Sequence, residues 1–78
     1  MDKIYILILV DNLRFHQKVL ADMILSPLDL GPELLREQIR SVVGFTDSEM
    51  DRGEYIQGNQ RVSLRFPSGD DYVLFRVC

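Results

Sequence analysis

The side chains able to do chemistry are few and scattered. His16 is the only histidine and Cys78 the only cysteine. A zinc site needs three or four ligands, so neither can found one alone. His16 could act as a base or a pH switch, because imidazole titrates near neutrality. No serine or cysteine nucleophile is paired with it by any motif, and a partly buried histidine bonded to a carbonyl is the plainer expectation. Asp47, Glu49 and Asp51 alternate as acids do in a calcium loop, but Arg52 stands where glycine should follow and Gly58 where the closing glutamate belongs. Gly53, Gly58 and Gly69 are too dispersed to cradle a phosphate. Asp70 and Asp71 are adjacent carboxylates in a turn, where solvation is the expectation. The sequence therefore predicts a non-enzymatic chain with no catalytic residue, no metal and no cofactor.

Chemistry of recognition is the alternative, and it depends on the elements that would display it. Lys3 to Val10 carries an unbroken apolar run from Ile4 to Val10. As a strand it points Ile4, Ile6, Ile8 and Val10 one way and Tyr5, Leu7 and Leu9 the other. A strand apolar on both faces belongs inside a sheet rather than at its edge. Asp11-Asn12 supplies turn and capping side chains. Leu13 to Leu25 then predicts a helix, with Leu13, Phe15, Val19, Leu20, Met23 and Ile24 in one arc, His16 in the middle of it, and Arg14, Lys18 and Asp22 opposite. Ser26-Pro27 stops it, and Leu28 and Leu30 pack down from the connection that follows.

Gly31-Pro32-Glu33 opens a second helix, with proline at the first position and an acid near the positive end of the dipole. Its buried stripe is Leu34, Leu35, Ile39, Val42 and Val43. Glu33 with Arg36, and Glu37 with Arg40, are spaced for pairing along its exposed side, and Gly44 suits its C-terminal cap. Thr46 to Glu49 spells a capping box for a short third turn ending at Gly53. From Tyr55 the period becomes two. Tyr55 to Gln57, Arg61 to Phe66 and Asp71 to Cys78 predict three strands, joined through Gly58-Asn59 and Pro67 to Asp70. Val62, Leu64 and Phe66 point inward. Val73, Phe75 and Val77 share one face of the last strand; Tyr72, Leu74 and Arg76 share the other.

The fold expected is α+β in the order β-α-α-β-β-β: one domain over residues 1–78, an antiparallel sheet with two amphipathic helices packed on one face. Seventy-eight residues suffice for two layers and not for three. If the helices cover Ile4, Ile6, Ile8 and Val10, the sheet's other face shows Tyr5, Leu7, Leu9, Tyr72 and Leu74, flanked by Arg61, Arg65 and Arg76. An apolar centre rich in tyrosine within an arginine rim is the anatomy of a protein interface. These eight residues are the expected partner-binding set, and the partner is another protein or a second copy of the chain.

The formal net charge of -3, from twelve acids and nine bases, gives nucleic acid no electrostatic foothold. The alternative is a small nucleic-acid-binding regulator, either a winged helix or a sheet face that stacks RNA bases. Against the first, Arg36 and Arg40 on the second helix are balanced by Glu33 and Glu37. Asp2 nearly cancels Lys3, and no small-residue cleavage site follows the first apolar run, so a signal peptide is not expected. Nor does any stretch approach the length of a membrane span. One cysteine cannot form an internal disulfide, so the cytoplasm is the expected compartment, and Cys78 lacks the three following residues a prenylation motif needs.

By size and kind, a compact single-domain chain without catalytic residues resembles the inhibitors that phages and mobile elements direct against host machinery, anti-CRISPR proteins among them. That resemblance implies a small, non-catalytic protein-binding module acting through its sheet face or by homodimerisation.

Overall fold

Five strands and two helices run in the order β1 (Lys3–Asp11), β2 (His16–Leu25), α1 (Pro32–Val42), α2 (Asp47–Met50), β3 (Glu54–Gly58), β4 (Arg61–Arg65) and β5 (Asp70–Arg76) in the computed structural model, which describes residues 3–25 and 30–77. The expectations for Asp2, Ser26, Pro27, Leu28 and Cys78 lie outside the described residues. The strands form one antiparallel sheet in the order β2-β1-β5-β4-β3, with the helices on one side. Although the two helices are α1 and the short α2, the α+β class, an antiparallel sheet with two helices packed against it and the interior position of β1 are as the sequence predicts.

The first helix is not. Leu13 to Leu25 forms a hairpin with β1. Asp11 caps its tight loop, its carboxylate accepting from the backbone N–H groups of Leu13 (3.0 Å) and Arg14 (3.2 Å), so the capping chemistry is present but closes a turn. A bulge explains the helical disguise. Leu7 pairs with Ala21 and Ile8 with Val19, which leaves Leu20 as the extra residue. One inserted residue shifts the two-residue alternation by one, so Val19, Leu20, Met23 and Ile24, which the strand divides between its two faces, fall on one arc at helical spacing. The hairpin also removes the helix pair that a winged-helix reading requires.

The local signals from α1 onward hold. Gly31 and Pro32 begin α1, and its last turn closes where the N–H of Gly44, at φ +84°, bonds to the carbonyl of Ile39 (2.9 Å). Leu34, Leu35 and Ile39 are buried, whereas Val42 is exposed. Arg36 and Arg40 do not pair with the glutamates of their own helix; both reach Asp47 at the start of α2. The capping box on α2 is formed, with Thr46 Oγ1 accepting from the N–H of Glu49 (3.3 Å) and Glu49 Oε1 accepting from the N–H of Thr46 (3.0 Å).

The β3–β4 turn sits one residue later than predicted. Gly58 pairs with Arg61, and Asn59-Gln60 is the loop. The β4–β5 connection is a three-residue loop, Pro67 to Gly69, closed by the Phe66 N–H to the Asp70 carbonyl (2.9 Å), with Gly69 at φ +96°. A Cβ on Gly69 would stand 2.9 Å from Leu13 Cγ, so the two loops at this end require glycine there.

The core lies between the sheet and the helices: Tyr5, Leu7, Val62, Leu64, Tyr72 and Leu74 meet Leu34, Leu35, Ile39 and Met50. Phe45, Phe66 and Tyr72 stack edge to face, with centroids 5.2–5.8 Å apart.

Candidate functional site: the open face of the sheet

This arrangement reverses the predicted faces of β1 and β5. Tyr5, Leu7 and Leu74 are 0% exposed and Tyr72 is 8% exposed, beneath the helices. Leu9 packs against the same core. Arg76 pairs with Tyr5, so it belongs to the helix side as well. Of the eight expected partner-binding residues, only Arg61 and Arg65 lie on the open side of the sheet. A strand apolar on both faces gives no sign of which face meets the helices; the hairpin register supplies it. The loop of Pro67 to Gly69 sets Leu64 opposite Tyr72 and Val62 opposite Leu74, and opposed residues point the same way. Once Val62 and Leu64 face inward, Tyr72 and Leu74 must follow. A loop one residue shorter would have turned them out.

The open side is consequently built from the other half of the pattern. Four rows cross it. The first holds Ile24 and Ile4, with Val77 continuing from β5, its N–H bonded to the Ile4 carbonyl (2.8 Å). The second is Asp22–Ile6–Phe75–Arg61. In the third, Val19 at the bulge is followed by Ile8, Val73, Ser63 and Ile56. The fourth runs Gln17–Val10–Asp71–Arg65–Glu54. Its apolar centre is wet. Ile4 is 43% exposed, Phe75 39% and Ile24 68%, and Ile6, Ile8, Val10 and Val73 are half-buried between neighbours in the sheet. No described element lies over them. A contiguous apolar surface of this kind, rimmed by polar side chains, makes this face the candidate site.

The rim is charged and partly fixed. Asp71 is 6% exposed, and its carboxylate accepts from Arg65 Nε (3.2 Å) and Asn12 Nδ2 (3.1 Å). It is therefore a paired rather than a solvated acid, and it closes one end of the face. Asp22 and Arg61, at the two ends of the second row, are exposed and form no ion pair among the described residues.

Other places for chemistry are poorer. His16 is exposed at the start of β2, not buried, and lines an open depression of about 430 Å³ with Leu9, Asp11, Gln17 and Lys18. No serine or cysteine stands among those residues. Among the described residues, no three of His, Cys, Asp and Glu gather closely enough to hold a metal ion, and no helix is long and apolar enough to cross a membrane. The hairpin tip carries a feature that the sequence pattern concealed. Phe15 is 90% exposed and sits at φ +57°, a left-handed conformation that a bulky L-residue adopts only at a cost.

The chain matches no family model, no curated protein and no solved structure. Its function is therefore argued from this geometry.

Proposed function

We propose that the chain is a non-catalytic protein-binding module that works through the open face of its sheet. The observation that carries the reading is the uncovered row structure around Ile6, Ile8, Val73 and Phe75. Burying such side chains against a partner yields about 25 cal/mol per Å² of apolar area, and a polar rim gives the contact its orientation. Within this class, the size and single-domain build suit an inhibitor of the kind that phages and mobile elements direct against host machinery, with the cytoplasm as its compartment. Base stacking gains no support, because Tyr5 and Tyr72 are turned into the core and Phe75 is the one aromatic ring in the four rows.

The test compares tagged wild type with Ile6→Lys and Phe75→Asp on the open face, and with Glu37→Lys on the helix side as control. Proteins retained from the native host, the untagged chain itself included, should bind wild type and the control and be lost from the face variants, with far-UV circular dichroism unchanged. Equal retention by all four proteins overturns the reading.

A further inference from the structure

We propose that the occupant of the open face is a second copy of this chain, docked face to face about a two-fold axis that runs parallel to the strands between β1 and β5. The inference rests on the binding-module reading and names its partner. It comes from where the charges stand. In the sheet order β2-β1-β5-β4-β3, β2 and β4 are each one strand outside the β1–β5 pair. With strands about 4.8 Å apart, both lie about 7 Å from such an axis. Rotation about an axis along the strands exchanges left and right and keeps each residue at its own row. Asp22 on β2 then lies opposite Arg61 on β4 of the second copy, and Arg61 opposite the other Asp22, because both belong to one row with Ile6 and Phe75 between them. Ile6 meets Phe75 of the second copy and Ile8 meets Val73, so the apolar centre covers itself. Two sheets stacked this way give an aligned sandwich with the helices outside.

The same charges reject the other face-to-face arrangement. An axis running across the strands leaves β4 over β4, which brings Arg61 and Arg65 of one copy against those of the other, and Asp22 on β2 over an uncharged or like-charged neighbour. Like charges so placed disfavour that orientation, and opposite charges favour the first. The area sets the strength. Four strands by about six residues make a face of roughly 400 Å², so two such faces bury on the order of 800 Å², below the roughly 1,200 Å² of a standard specific interface and in the class of weak, transient contacts. The dimer is therefore weak and reversible, populated in the upper micromolar range.

Sedimentation equilibrium across roughly 1–300 μM tests this. Wild type should rise from the 9.1 kDa monomer towards twice that mass. Asp22→Arg and Arg61→Asp should each weaken self-association about tenfold. Mixing the two single variants should restore it, since every contact in the mixed dimer again joins Arg to Asp; the double variant D22R/R61D should recover as well. These changes lie on exposed side chains, so the swap set remains decisive even if Phe75→Asp fails to fold. A wild-type mass that stays at the monomer value, or a mixture no tighter than its separate components, overturns the proposal. A monomer that still captures some other protein through the same face sinks the dimer and leaves the binding-module reading standing. Loss of all face-dependent association removes both.

Discussion

Phe15 carries backbone strain at the scale of one residue. Its left-handed backbone is imposed by the four-residue loop that Asp11 caps, and its ring, 90% exposed, gains little packing in return. Glycine adopts φ +57° freely, although it loses more freedom on folding. Phe15→Gly is therefore expected to stabilise the protein by about 0.5–1 kcal/mol, read as a higher urea midpoint with an unchanged slope; a lower midpoint would show that the ring packs on something. Gly69 is the opposite case: at its positive φ, any side chain would also have to displace Leu13, so substitution there adds a clash to the backbone strain that Phe15 bears alone.

The tie between α1 and α2 is electrostatic at the scale of elements. Asp47 stands between Arg40 and Arg36, whose hydrogen bonds hold its carboxyl below the ordinary 3.8. The Thr46 backbone N–H, and then its hydroxyl, hold Glu49 below the ordinary 4.5. Both carboxyls bind protons less readily folded than unfolded. Their stabilisation is complete above the unfolded values and is lost as pH falls through the lowered ones. The urea midpoint should accordingly fall as pH drops below about 5, and the double change Asp47→Asn with Glu49→Gln should flatten that slope. An unaltered acid profile would mean that these contacts are not held in solution. How legible an element was depended on whether its signal was local. Gly31-Pro32, Gly44 and the capping box announced α1 and α2 because caps are chemistry between near neighbours. β2 was hidden because its residues suit a helix by propensity and its bulge breaks the alternation that would have revealed it.

Across the whole molecule, the two faces of one sheet have different duties. Leu35, fully buried, is expected to cost about 2–5 kcal/mol when changed to Ala. Ile6→Thr on the open face is expected to cost under about 1 kcal/mol, both measured by urea unfolding at a dilution where the chain is monomeric. If Ile6→Thr is as damaging as Leu35→Ala, the open face is covered within the chain. The sequence by itself determined that β1 is apolar on both sides, that a small α+β domain must leave one side of its sheet without helices, and that arginines edge that side. It could not say which side, because Ile4 and Tyr5 are equally fit to be buried. Only the tertiary structure decided that: the three-residue loop between β4 and β5 fixed the register, the register turned Tyr72 and Leu74 inward with Val62 and Leu64, and Tyr5 and Leu7 on the neighbouring strand had to follow.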